Sequence, residues 1–220
     1  MQKKMIEEAK KFAKETLGED ATGHDWYHIE RVHRSALHIW EQEKVGDRFI
    51  IEMAALLHDI PDEKLNESKE AGEKKLHSFL DSINLDTQTK KHILDIIFSI
   101  SFKGGNGSAL PSIEAAIVQD ADRLDAIGAI GIARAFAFGG KKGQSIYDPE
   151  LTVREQMTVE EYRKGKSSSV HHFYEKLLKL KNRLNTETAK KMAEKRHAFM
   201  EQFLTEFHND WNGKNEIDFN

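Results

Sequence analysis

The chain has 220 residues, 39% of them hydrophobic and 32% charged, which is the composition of a soluble globular protein of one large or two small domains. It has no cysteine, which excludes disulfides, Cys-ligated zinc and thiol nucleophiles and fits a reducing compartment. A formal net charge of −4 runs against a dominant nucleic-acid surface, which needs a basic excess on one face.

The N-terminal segment MQKKMIEEAKKFAKETL carries charges throughout and has no apolar core, so it does not read as a secretory signal. Within it Met5, Ala9, Phe12, Ala13 and Leu17 form a helical stripe that Gly18 stops. The next helix starts near Asp25, carries Ile29, Val32, Ala36, Ile39 and Trp40 on one face, and ends at Gly46. Asp47 then caps a helix that closes on the run IEMAALL followed by His58-Asp59-Ile60-Pro61. Further helices are expected over 69–80 and over 87–100, the second with a strong face of Ile93, Leu94, Ile96, Ile97 and Ile100.

Gly104–Ser108 marks a loop, and Pro111 suits the first turn of a helix that runs through Ile113, Ala116, Ile117 and Val118 into the cluster Asp120, Asp122 and Asp125. The small apolar stretch AIGAIGIARAFAF (126–138) reads as a deeply packed helix, with Gly128 and Gly131 allowing close contact. Composition changes at Gly139, and residues 139–166 read as a long mobile surface segment. Two amphipathic helices, about 168–180 and 186–207, close the chain before a frayed tail at 212–220. No stretch is long enough to cross a bilayer, and no strand alternation is convincing. The expectation is a cytoplasmic, all-α protein.

The pair His58-Asp59 is an unusual ending for an apolar helix. Imidazole plus carboxylate is a donor set for a divalent cation, and His28 and Asp122 are further candidates at long range. Neighbouring helix residues point roughly 100° apart, so His58 and Asp59 share one ion only if it lies near the backbone at the helix end. The alternative is a core histidine beside a capping or ion-paired carboxylate. His24 lies one turn before His28 and is read as a second-shell group, a substrate contact or a helix cap.

Three segments, HDWYHIERV (24–32), ALLHDIPDEK (55–64) and QDADRLDAIGAIGIAR (119–134), together resemble the HD-domain metal-dependent phosphohydrolases. The resemblance is closest to small stand-alone bacterial members of the nucleotide pyrophosphohydrolase type. A later block, HHFYEKLLKL (171–180), is also similar to bacterial members, with no role assigned to His171, His172 or, further on, Arg196. The likeness implies one helical-bundle HD domain over 1–220, with a metal core near 20–138 and C-terminal helices near 168–210. It implies His28, His58, Asp59 and Asp122 as ligands, with Asp125 orienting a ligand or pairing with a basic group. Two imidazoles and two carboxylates suit Mn²⁺, Fe²⁺, Ni²⁺, Co²⁺ or Zn²⁺ better than Mg²⁺. An acidic residue just after the pair acts as acid/base in several relatives, which points to Asp62 and, next to it, Glu63.

Cations for a phosphate substrate come from Arg31, Lys64, Lys103, Arg123, Arg134, Lys141, Lys142 and Arg154, the last three in a segment expected to close as a lid. Phe102, Tyr147 and Tyr162 are candidates for stacking on a base. The implied partner is a small nucleotide, hydrolysed from triphosphate to monophosphate and pyrophosphate, with neither nucleic acid nor membrane. The alternatives are a phosphomonoesterase, a cyclic-nucleotide phosphodiesterase and a non-catalytic nucleotide sensor.

Overall fold

The computed structural model describes residues 1–18, 25–63, 65–100, 109–154 and 165–214. Expectations for His24, Lys64, Phe102, Lys103 and Tyr162, for the glycine loop at 104–108 and for the tail beyond 214 lie outside them. Among the described residues the structure is helical throughout. The helices are α1 (Gln2–Leu17), α2 (Trp26–Glu43), α3 (Arg48–Leu57), α4 (Lys69–Ser82), α5 (Thr87–Ile100), α6 (Ile113–Asp125), α7 (Gly128–Lys141), α8 (Ser169–Glu175) and α9 (Glu187–Trp211), with a 3-10 helix over Leu177–Arg183 between the last two.

Helix starts follow local side-chain chemistry. Asp25 accepts the His28 backbone N–H at 2.9 Å, and Asp47 accepts those of Phe49 and Ile50 at 2.7 and 3.3 Å. Ser68, Ser112, Ser168 and Thr186 cap α4, α6, α8 and α9 in the same way. Pro111 therefore sits just ahead of the cap of α6 rather than in its first turn. Helix α2 stops at Glu43, before Gly46, because Lys44 takes a left-handed conformation and donates its backbone N–H to Trp40.

Helix α3 is the centre of the molecule. Of its ten residues only Arg48 and Glu52 are not buried, because it packs against α1, α2, α5 and α6. Ile51, Met53, Leu56, Leu57 and Ile60 are sealed from solvent together with Ile29 and Ile39 of α2 and Ile93 and Ile96 of α5. Packing the core against the last turn of α3 fixes where His58 and Asp59 emerge, which is beside α2 and α6.

Two larger expectations change as well. The stretch 126–138 is not one deeply packed helix. Helix α6 ends at Asp125, and the chain turns through Ala126 and Ile127 before α7 begins at Gly128, whose φ of 76° favours glycine. A Cβ there would also lie 3.0 Å from the Arg196 stem on α9, so glycine serves both the turn and the close approach. Beyond it α7 lies on the surface, buried on one face only, with Ile130 43% exposed.

The segment expected to be mobile from 139 is ordered to 154. Helix α7 runs on to Lys141, and the Tyr147 ring stacks on His171 at 5.5 Å and meets Phe207, His208 and Trp211 edge-on. Tyr147 is thus a packing residue in an aromatic cluster. Arg154 makes a two-pronged salt bridge to the buried Glu175, at 2.7 and 2.8 Å, and its backbone N–H also donates to that carboxylate. These contacts tie the strap to α8 and α9. Residues 155–164 lie outside the described set.

Candidate metal centre

Three elements deliver the chemistry to one place. His28 lies in the first turn of α2, held there by the Asp25 cap. Its Nδ1 meets the Asp125 carboxylate at 2.7 Å, which directs Nε2 toward Asp59, 3.3 Å away, and Asp122, 3.6 Å away. His58 is the residue on which α3 ends. Its Nδ1–H donates to the Ala55 carbonyl at 2.9 Å, so Nε2 carries the lone pair. That Nε2 is buried, has no hydrogen-bond partner among the described residues, and lies 3.3 Å from Asp59 and 3.9 Å from Asp122.

The two imidazoles sit edge to face with centroids 5.4 Å apart, and the Asp59 carboxylate offers one oxygen to each. Neighbours that would diverge along a helix converge here because α3 stops at Leu57 and the chain turns through 58–61. His28, His58 and Asp59 present donor atoms all within 4.8 Å of one another, and Asp122 closes the group from α6 on the half-open side. A buried imidazole nitrogen with no hydrogen bond, facing two carboxylates and a second imidazole, fits a divalent cation. The alternative of a core histidine and a capping carboxylate does not explain why that nitrogen faces donor groups and lacks a proton donor of its own.

Asp125 holds this centre in place. It accepts from Arg31 Nε at 2.6 Å and Nη2 at 3.1 Å, and from Arg134 at 2.6 Å, besides His28. Burial pushes its carboxyl up, but the bonds from His28 and Arg31 and the nearby positive charges outweigh it and hold the group well below the usual carboxylate range. Burial likewise pushes His28 down, and is outweighed by the bonds to Asp125 and Asp59 and by the Asp122 charge, which raise it to about 9.

Asp125→Asn keeps an oxygen for the His28 ring but removes the charge that answers two guanidiniums. The expected result is a loss of about 10–100-fold in metal affinity with the ligands unchanged, read by competitive titration against a chelator. Unaltered affinity would remove Asp125 from the support of His28.

The cations expected at a substrate are distributed differently. Arg31 and Arg134 are turned onto Asp125, where their charges stabilise the orienting carboxylate. Arg123 donates to the Arg183 carbonyl and so holds the 3-10 helix. Lys141 and Lys142 are exposed at the far end of α7, about 10 Å along the axis beyond Arg134, with the Lys142 ammonium over the Phe138 ring. Asp62 is half-buried in the turn that follows Asp59, and Glu63 beside it is exposed. Asp120, adjacent in sequence to the ligand cluster, faces the other way. It accepts from Asn185 and Thr186 through both backbone and side chains and so anchors the start of α9. Arg196 is explained too, since it packs over Gly128 and donates to the Leu124 carbonyl at the end of α6.

Two titratable side chains late in the chain sit in buried surroundings, and the charge of one of them, Lys176, acts on Asp122. Helix α8 carries His172, and Lys176, four residues on, is the residue at which the helix breaks. Burial depresses the Lys176 ammonium to about 8, against the attraction of Asp122 and with the repulsion of Arg134. His172 is pressed down to about 3 by burial and the nearby Lys176 charge. The only signal in the sequence was the familiar block that contains them.

The His172 shift has a stability consequence. A histidine whose folded pKa lies below its unfolded value of about 6.5 binds fewer protons folded than unfolded in between, so stability is lost as pH falls below about 6.5 toward 3. His172→Gln should flatten that part of the curve. Thermal melts of both proteins from pH 7 to pH 4 check it, and parallel curves would remove His172 as a source of acid lability.

Residues 25–127 match the HD domain family. The chain is 39% identical to the Bacillus subtilis protein YpgQ over 209 residues, 94% of each chain. A crystal structure from Lactobacillus plantarum superposes with a TM-score of 0.86 at 37% identity, covering 96% of this chain and 98% of the other. The structure of a Bacillus thuringiensis HD-superfamily hydrolase does so at 0.76 and 50% identity, covering 96% and 99%. The chain belongs to the HD superfamily of metal-dependent phosphohydrolases. HD domains bind divalent metals, and His28, His58 and Asp59 form a group that could hold one. Among the described residues no helix is long and apolar enough to cross a membrane.

Proposed function

We propose that the chain hydrolyses a nucleotide phosphoanhydride bond, releasing a nucleoside monophosphate and pyrophosphate from a triphosphate. The observation that carries the reaction class is the buried, unbonded His58 Nε2 facing His28, Asp59 and Asp122. For the substrate, support comes from the crystal structure of YpgQ in complex with ADP, 35% identical over the superposed chains with a TM-score of 0.76. That complex concerns YpgQ, and it makes a nucleotide the first substrate to try here.

His28, His58, Asp59 and Asp122 would hold one divalent ion, with Mn²⁺, Fe²⁺, Ni²⁺, Co²⁺ and Zn²⁺ favoured over Mg²⁺ by the mixed nitrogen and oxygen donors. The bound cation supplies Lewis acidity toward a phosphate oxygen and the attacking water. The protein's own part is positional. Asp125 fixes the His28 ring, Ala55 fixes the His58 ring, and Asp62 would take the proton from water, with Glu63 as the neighbouring candidate. The half-open Asp122 side is where substrate would enter. We read the whole chain as one functional unit, since α9 packs on α2 and α6 of the metal core as well as on α7.

The test is a product assay with Mn²⁺ over nucleoside and deoxynucleoside tri-, di- and monophosphates and cyclic nucleotides. Pyrophosphate from a triphosphate is the expected product. Orthophosphate from a monophosphate would instead make the chain a phosphomonoesterase, ring opening a cyclic-nucleotide phosphodiesterase, and binding without turnover a sensor.

A further inference from the structure

We propose that Lys176 is the cation that receives the substrate's phosphates above the metal centre, a role that rests on the phosphohydrolase reading but falls on a residue beyond the stretch matched to the HD domain.

The placement follows from how α8 lies along α7. The two helices run antiparallel, with Ser169 against Gly139, where any Cβ would strike the serine hydroxyl, and Phe173 against Phe136, ring centroids 6.0 Å apart. Each step toward the C-terminus of α8 is matched by a step toward the N-terminus of α7. The next turn therefore brings Lys176 level with Arg134, which is bonded to Asp125 at the back of the metal site. Helix α8 breaks at that residue: Lys176 has φ −136° and ψ −58°, its N–H still donates to the His172 carbonyl at 3.0 Å, and the 3-10 helix departs from Leu177. The side chain springs from a corner rather than from the middle of a packed helix. Its charge feels both Asp122, on the half-open side of the centre, and Arg134 behind it. It is crowded by protein but still partly accessible, as a group lining a cleft is.

The charge balance of the site calls for such a group. Asp59 and Asp122 together cancel the two charges of a divalent cation. Arg31 and Arg134 are bonded to Asp125, and Arg123 is bonded to a backbone carbonyl. A polyphosphate arriving at Asp122 meets a centre with little net positive charge in its ligand set. Lys176 adds an ammonium whose charge acts on Asp122, at that side of the centre. Lysine acts there as a compact point charge able to follow a phosphate.

The experiment uses the full chain loaded with Mn²⁺, and titration calorimetry with pyrophosphate, inorganic triphosphate and ADP. Metal content is measured alongside. Lys176→Met should raise Kd for pyrophosphate and triphosphate by about tenfold or more, as expected on losing a charge-assisted contact, with metal content unchanged. Its binding should also depend less steeply on salt. Lys176→Arg, which keeps the charge, should retain most of the affinity. Wild-type affinity in Lys176→Met overturns the assignment, as does failure of the wild-type chain to bind any of the three probes. Equal loss in both variants together with lowered melting temperatures would make Lys176 a packing residue and overturns it too. If polyphosphate binding depends on Lys176 but no nucleotide yields pyrophosphate, the substrate reading falls while the anion site stands. Pyrophosphate release that continues with unchanged KM in Lys176→Met has the opposite consequence.

Discussion

Replacing His58 or Asp122 by alanine is expected to strip the protein of its divalent cation and abolish turnover while leaving the helical fold in place. The two variants test different parts of the centre. His58 Nε2 is buried and fixed by the bond from Nδ1 to Ala55, so its loss removes a preorganised nitrogen that no neighbour can replace. Asp122 is half-exposed and contributes little packing, so Asp122→Ala changes the donor set at small cost in stability, within about 0.5 kcal/mol for a site of this kind. Its removal leaves three donors and a more open centre. Metal content by mass spectrometry after dialysis, and helicity by far-ultraviolet circular dichroism, read the two effects separately. A purified Asp122→Ala protein that retains full metal content would sink the four-ligand assignment and reduce the centre to His28, His58 and Asp59.

The grouping of His28, His58, Asp59 and Asp122 was legible in the sequence because each stands in a local context that points to it. His58-Asp59 interrupts an apolar run, and the bland reading of that dipeptide weakens once His28 and Asp122 appear in matching flanks. The cap at Asp47, the start of α2 near Asp25 and the buried character of α3 were equally local. What escaped was set by partners far along the chain. Arg31 and Arg134 carry no mark of their bonds to Asp125, 94 and 9 residues away. The Ala- and Gly-rich run at 126–138 fits a buried helix by composition, yet its break depends on Arg196 arriving over Gly128. The strap at 144–154 lacks periodic apolar residues, and it is ordered instead by single anchors, Tyr147 on His171 and Arg154 on Glu175. Lys176 reaches the centre only because α8 packs antiparallel on α7, a relation that periodicity within either helix does not encode.

Asp62→Asn is expected to keep the metal and lose about 10²–10⁴-fold in rate, the usual worth of a positioned proton acceptor. The backbone of Asp62 is pinned from both sides. Its N–H donates to the Asp59 carbonyl at 3.1 Å, and its own carbonyl accepts from Asn66 Nδ2 at 2.8 Å, an amide that also bonds Ile60 at 2.8 Å. Gly72 of α4 lies directly beneath, where a Cβ would come within 2.8 Å of that Asn66 amide and 2.9 Å of the Pro61 carbonyl. The turn that carries the ligands therefore carries Asp62 in a fixed relation to them, as a group that must meet a water at the centre requires. Glu63, the next residue in the same turn, is exposed. Asparagine preserves shape and hydrogen bonding but accepts no proton, so kcat should fall while metal content and nucleotide affinity stay level. Wild-type kcat in Asp62→Asn would return that residue to a solvated charge. A large loss in Glu63→Gln under the same conditions would move proton transfer to the exposed neighbour, and with it the side of the turn from which water is deprotonated.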